Sequence, residues 1–515
     1  MDPGKSNPIA HVDHHPTPHH PSPSNDGKET HDLALLGYES ELNRNRSVYT
    51  ILFQVLAITA VPFGEGTALT SAIYGGGQLA YFVGWIVVVV LDECVAVSLS
   101  ELASKFPTSS GPWTFQLLPV GRTRTVLSFV TGWVWFIGNL TICLSVNFGT
   151  AALLAGTATI YHPGWIASGW QLLLIFYAVC ICTFLVCAFG NRILPYVDTV
   201  ASVWNGITIL VVCVALSVVA GAGRHSAAYA LSHYDESFSG WGGFTFFIGL
   251  LPAAYTFAAI GMITSMSEEV ANPAVDVPNA LSLVVPISGI AGLFFIVPIC
   301  FTMPPLADVL GAPQGQALPY IFHTVMNSPG GGVGLMFLVL GVAAFCCISI
   351  STAASRTTWA FARDQALPFS NIWSKLNGDQ VPILALAMLT VVQMLLGLIN
   401  LGSTSAFTAF ASCGVIALAC AYAIPIGISL FTGRTAVSTA RWHCPAMIGY
   451  VLNAISMAWI AFQLILFSMP AALPVTVVSM NYASVVFVGF MVISVVYYLA
   501  YGRRVYNGPP ESDGV

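Results

Sequence analysis

Glu65 stands between two glycines in the stretch Ala60–Val61–Pro62–Phe63–Gly64–Glu65–Gly66–Thr67, in the middle of the first long apolar segment. Pro62, Gly64 and Gly66 are helix breakers, and lipid cannot satisfy backbone groups that leave a helix. Loosened chain at this depth must be buried in protein or line a watery cavity. A carboxylate in the same place costs roughly 2.5–3.5 kcal/mol on insertion scales and is seldom idle. The combination reads as the solute site of a transporter, in which a fixed negative charge meets a cation.

Other ionisable groups compete for chemistry. Asp92 and Glu93 lie within the second apolar segment and Asp198 near the start of the fifth. A carboxylate desolvated at such depth can take up a proton near neutral pH, so Glu65, Asp92, Glu93 and Asp198 are all candidates for proton coupling. Helical geometry lets only one of the adjacent pair Asp92 and Glu93 point inward. Asp198 also suits a plainer role, tethering the end of its segment. Glu268 and Glu269 close the sixth segment, where pairing with Arg44, Arg46 or Arg356 could hold an inner gate shut. Solvated acids at a helix end are the alternative, since exposed pairs are worth only ~0–1 kcal/mol.

The elements that position these groups follow from composition. Only 7% of the 515 residues are charged and 56% are hydrophobic; mean hydropathy is +0.79. A soluble domain carries about 25% charged residues, so the expected fold is an all-α polytopic membrane protein. About 20 helical residues cross the hydrocarbon. Twelve segments qualify: 48–73, 78–101, 126–156, 169–189, 195–221, 244–267, 280–303, 332–354, 382–401, 404–431, 446–469 and 483–501. Near their ends, thirteen Lys and Arg residues, among them Arg44, Arg46, Lys105, Arg122, Arg192, Arg356 and Arg503, fall on the side of the tails, and Arg224 alone falls on the other. The positive-inside rule then makes both tails cytoplasmic. Residues 1–46, rich in Pro, His and Ser, are expected to be a disordered tail, with 502–515 a short second tail. Leu36–Glu39 and Leu42–Arg46 suit a short helix at the cytoplasmic face. Between spans, Ala317–Met326 suits a helix across the outer vestibule. Arg356, Trp359, Phe361, Arg363 and Asp364 suit an amphipathic helix under the bundle.

The sixth segment repeats the oddity of the first. After Pro252 it becomes small, hydroxylic and glycine-bearing at Tyr255–Thr256–Phe257–Ala258–Ala259–Ile260–Gly261. Interrupted segments at matching positions of two halves point to a midplane site. Two units of five spans, 47–221 and 244–431, would enter the membrane from opposite sides, giving a five-plus-five inverted repeat with 446–501 added and with broken helices 1 and 6. Packing notches are the alternative reading, because small residues also let helices approach closely.

Here the chain resembles the amino acid–polyamine–organocation superfamily, and within it the fungal amino acid/choline permeases, the group of GABA, choline and polyamine permeases. The resemblance rests on Leu36–Gly37–Tyr38, Gly75–Gly76–Gly77, Ser98–Leu99–Ser100–Glu101 followed by Phe106–Pro107–Thr108–Ser109–Ser110–Gly111, Thr131–Gly132–Trp133, Gly190–Asn191, Leu194–Pro195–Tyr196–Val197–Asp198, Ser267–Glu268–Glu269–Val270 and Trp359–Ala360–Phe361–Ala362–Arg363–Asp364, in that order and spacing. It implies the five-plus-five fold and uptake of a small amine or amino acid driven by protons. It also implies that Gly64, Gly66 and Thr67, with Tyr255, Thr256, Phe257 and Gly261, face the substrate. Two departures stand out. Relatives usually carry an uncharged residue at the position of Glu65, and often an acid near that of Gly261 and a histidine near that of Ser265. We therefore expect the negative charge of the site to have moved to Glu65, where it holds an ammonium. Phe63, Tyr255 and Phe257 could add cation–π contacts worth up to about 2 kcal/mol.

Several classes are excluded. No GxxxxGK[ST] loop is present, so ATP does not drive transport within this chain. None of the twelve cysteines forms a CxxC pair, and no disulfide framework, metal site, cofactor or enzymatic constellation is expected. The sequons at Asn45 and Asn139 do not suit an exposed luminal loop. No signal peptide opens the chain, so the first span is expected to direct insertion. Expected partners are a small amine or amino acid, protons and the lipid bilayer, with no nucleic acid. The plasma membrane is the expected location, with vacuolar or other endomembranes as alternatives. A non-transporting nutrient sensor of the same fold is the alternative function; the tails show no signalling domain.

Overall fold

The computed structural model describes residues 41–508 apart from 43, 45, 110–113, 120, 191, 222, 403 and 478. Leu36–Glu39, most of both tails, and Ser110, Gly111 and Asn191 of the motifs above lie outside the described residues. Among the described residues there are twelve helical spans long and apolar enough to cross a membrane, and no β-strand. They are Val48–Tyr74, Gln78–Lys105, Arg122–Ala158, Gly169–Phe189, Leu194–Val219, Gly242–Glu269, Pro273–Thr302, Pro329–Arg363, Ile383–Gly402, Ser412–Phe431, Ala446–Leu466 and Ala483–Val505. With an even number of spans, the described chain begins and ends at one end of the bundle, the tail end; the other is the far end.

Burial sorts the spans. The third is 78% buried across its apolar window and the twelfth 11%, so the third is central and the twelfth faces lipid. The second span lies along the seventh, and the third along the tenth. The first is held among the fifth, sixth, seventh and eighth. The helix Ala317–Met326 forms with the expected bounds and packs on the eighth and first spans.

Two expectations at the tail end are corrected. Arg356–Arg363 is not a separate amphipathic helix but the end of the eighth span, which runs unbroken from Pro329 to Arg363. Its Ser, Thr and Arg side chains at 355–358 look like the end of a span, yet they are buried against other spans. Nor does the chain before the first span form a helix at Arg46. That residue is extended and pairs with Val270 in a parallel bridge, with Arg46 N donating to the Glu269 carbonyl at 3.1 Å and Ala271 N to the Arg46 carbonyl at 3.0 Å. Long-range pairing with the end of the sixth span overrides local helix propensity.

Candidate substrate site

Proline chemistry sets the break in the first span. A proline lacks the N–H that would reach the carbonyl four residues back, and its ring crowds that carbonyl. The carbonyl in question is that of Ile58, and the helix Val48–Thr59 ends one residue later. Ala60 takes left-handed angles (φ 40°, ψ 53°), after which Val61–Tyr74 resumes with Pro62 in its first turn, where no donor is missed. The freed Ile58 carbonyl accepts from the Cys346 thiol of the eighth span at 3.4 Å. The break is therefore narrower than the glycines suggest: Gly64, Glu65 and Gly66 are helical.

Those glycines serve close packing. A Cβ on Gly64 would stand 2.4 Å from Thr256 Oγ1, so only glycine lets the first span meet the sixth there. Gly66 lies under Leu318. Thr67 donates back to the Phe63 and Gly64 carbonyls at 2.9 and 3.2 Å.

The sixth span has its joint where the small residues lie. The α-helix Leu251–Phe257 gives way at Ala258 and Ala259 to a ten-residue 3₁₀ helix, Ile260–Glu269. Runs of 3₁₀ beyond three or four residues are uncommon and often mark a hinge. Tyr422 of the tenth span lies on this joint, its hydroxyl accepting from Gly261 N at 3.1 Å and donating to the Ala258 carbonyl at 3.0 Å.

Glu65 is 1% exposed and lies where Val61–Tyr74 meets Leu251–Phe257. The single hydroxyl hydrogen of Thr256 is divided between the Pro252 carbonyl at 2.9 Å and Glu65 Oε1 at 3.3 Å. The Tyr81 hydroxyl and Cys300 thiol face the carboxylate from the second and seventh spans. Tyr81 Oη, though buried beside the carboxylate, makes no hydrogen bond among the described residues. No Lys, Arg or His approaches Glu65 within 4 Å among the described residues.

A cavity of about 400 Å³ opens beside this pair toward the far end. Ala68 and Ser71 of the first span, Leu251 and Tyr255 of the sixth, and Ser412 of the tenth line it. Its outer wall is the strap between the eleventh and twelfth spans, including Phe467, Met469, Met480, Asn481 and Tyr482. Asn481 Nδ2 pins the strap by donating to the Phe467 and Met469 carbonyls at 2.6 and 3.2 Å. The size suits a small ligand, and no acid or base lines the wall among the described residues. Of the residues expected at the substrate, Tyr255 lines this cavity, its hydroxyl 3.0 Å from Ser145 Oγ. Glu65 sits one helical turn before Ala68, on the packed side. Phe63 turns to Gly149 of the third span, and Phe257 packs on Trp85 with ring centroids 5.2 Å apart.

The other acids separate by partner. Asp92 points inward, accepting at Oδ1 from Trp459 Nε1 at 2.8 Å and Gln463 Nε2 at 3.3 Å, while Glu93 is half-buried. At the tail end, Glu269 takes Arg356 Nε at 2.7 Å and Arg46 Nε at 3.1 Å. Arg46 Nη1 also reaches Asp198 Oδ2 and Gln54 Oε1, each at 2.9 Å. Asp198 Oδ1 accepts from Ser349 at 3.0 Å. Arg44 is half-buried two residues before Arg46. Glu268 is held instead by Arg363, through Nη1 at 2.9 Å and Nη2 at 3.0 Å, and by Ser109 N at 3.1 Å.

Sequence reasoning missed Arg363 as the partner of Glu268, Tyr422 at the joint, Tyr81 beside Glu65, and the strap. The bidentate pair had a signal, an arginine seven residues beyond Arg356 on one helix and so on the same face; the others join distant spans and had none.

The amino acid permease family matches residues 51–492. An amino-acid permease of Schizosaccharomyces pombe, itself uncharacterised, is 30% identical over 97% of this chain and 92% of its own length. A polyamine transporter of Saccharomyces cerevisiae is 28% identical, over 95% and 80%. A choline transporter of the same yeast is 26% identical, over 92% and 84%. On these matches, and with twelve spans, the chain belongs to the amino acid permease family of the amino acid–polyamine–organocation superfamily, an integral membrane transporter and not an enzyme.

Proposed function

We propose that the protein imports a small cationic or zwitterionic amine, such as choline, a polyamine, GABA or an amino acid, by proton symport with alternating access. The observation that carries this reading is Glu65, a carboxylate buried where the two broken spans meet, with a shared threonine hydrogen, a tyrosine hydroxyl and a cysteine thiol beside it. An acid kept at this depth without a cation is suited to bind one, either a proton or the substrate's ammonium. Thr256 on Glu65 directly follows Tyr255 on the cavity wall, so a shift of Leu251–Phe257 brings the carboxylate and the cavity together. Phe63, Gly64, Gly66, Thr67, Phe257 and Gly261 then act through packing and position around that contact.

Glu65 is the coupling group we favour over Asp92, Glu93 and Asp198, because Asp198 is paired with Arg46 and Asp92 lies between the second and eleventh spans. The pairs of Arg46, Arg356 and Glu269, with Glu268–Arg363 beside them and Arg44 adjoining, form the closed inner gate. The five-plus-five inverted repeat, cytoplasmic tails and plasma-membrane location belong to the same proposal. The names of the relatives, transporters of polyamine and choline, support an amine.

Proteoliposomes loaded at one pH and diluted into another test it with radiolabelled choline, spermidine, GABA and arginine, each competed by the rest at two external pH values. Accumulation of at least one probe, driven by an inward proton gradient, is expected. Binding without accumulation would overturn the proposal.

A further inference from the structure

The joint in the sixth span leaves two backbone groups without helical partners. In a continuous α-helix Gly261 N would donate to the Phe257 carbonyl, and the Ala258 carbonyl would accept from Met262 N. Met262 N turns instead to the Ala259 carbonyl at 3.0 Å. Buried groups left in this way must find partners. One phenol oxygen serves both, since a tyrosine hydroxyl has one hydrogen to give and lone pairs to accept with. Tyr422 is 5% exposed, and its ring fills the space over Gly261, where any Cβ would stand 2.5 Å from Cε1. That close cover also accounts for the bare glycine at 261.

The clasp connects two packed groups. The sixth span lies with the first, second, seventh and eighth, whereas the tenth span lies along the third, with Trp135 of the third span 5.8 Å from the Tyr422 ring. Any movement of Leu251–Phe257 against the third and tenth spans must break or carry two hydroxyl contacts, this one and that of Tyr255 with Ser145 of the third span at 3.0 Å.

We propose that Tyr422 is a positioning residue for transport, whose hydroxyl fixes the α-to-3₁₀ joint of the sixth span and couples the movement of the outer half of that span to the tenth span. The transport half of this proposal rests on the reading of the protein as a permease for small amines; the clasp does not.

Hydrogen–deuterium exchange of the full-length protein in detergent, read over 256–265, tests the clasp without any substrate. Tyr422→Phe is expected to speed exchange there about tenfold, as loss of one buried hydrogen bond would, and to leave the other spans unchanged. Gly261→Ala, which drives the ring away, is expected to do the same. Unchanged exchange in 256–265, or a rise spread over the whole protein, would overturn the clasp. In proteoliposomes, counterflow of radiolabelled choline, spermidine or GABA is expected to fall about tenfold in maximal rate in Tyr422→Phe, with half-saturation within about twofold of wild type. A normal rate alongside faster exchange would overturn its role in transport. Absence of wild-type counterflow for all three probes would count against the permease reading, while the exchange data decide the clasp.

Discussion

Glu65 and Glu269 are both buried carboxylates on the two broken spans, 1% and 6% exposed, yet their surroundings are opposite. Glu269 has a guanidinium on each oxygen, at 2.7 and 3.1 Å. Glu65 has a shared threonine hydrogen at 3.3 Å and, among the described residues, no cation within reach. A buried charge with its partners in place costs little to keep and much to unpair. One without a partner is costly as it stands and is relieved by whatever cation arrives. The tail end is thus built to hold, and the middle is built to receive.

That contrast can be broken in stages. The largest effect on stability is expected for Glu269→Ala, which takes a shared carboxylate from two buried guanidiniums; breaking such a pair costs ~3–5 kcal/mol. Thermal unfolding in detergent should fall markedly, and labelling from the tail end should rise. Glu65→Gln should act in reverse, reducing uptake roughly a hundredfold, as for loss of a buried charge contact. It should leave thermal stability equal or higher, which the same two assays would show. Gly64→Ala comes next: overpacking against Thr256 costs typically about 1–3 kcal/mol, seen as weaker uptake with intact insertion. Arg192→Ala marks the floor. Its pair with Asp379 at 3.1 Å is 88% and 56% exposed, and neither uptake nor unfolding should change measurably.

Much of the framework was legible in the residues because lipid imposes it. Twelve apolar runs became twelve spans, the tenth within the helix Thr404–Phe431. Pro62 marked the first joint, through the Ile58 carbonyl it cannot serve, and the small residues after Pro252 marked the second. Contacts of Glu269 with Arg46 and Arg356 were among those suggested by charge at the tail end; their action as a gate belongs to the proposal. What stayed hidden was carried by distance in sequence. Tyr422 meets Gly261 across 161 positions, and Arg434 of the tail-end loop meets Glu101 of the second span across 333. Nothing local in those residues announces the contact. The glycines beside Glu65 looked like loosened chain because a glycine that breaks a helix and one that admits a neighbour are the same letter. The hydroxylic end of the eighth span looked like surface for a similar reason, since buried hydroxyls satisfied by their own helix resemble solvated ones in sequence.

The central claim is that Glu65 carries the coupling charge, and substrate-induced proton movement tests it most directly. Proteoliposomes holding a pH-sensitive dye would receive choline, spermidine or GABA outside, with wild type and Glu65→Gln reconstituted at equal density. The account predicts luminal acidification by wild type on addition of the transported probe, and none by Glu65→Gln despite normal folding. Equal acidification by the two proteins would contradict it.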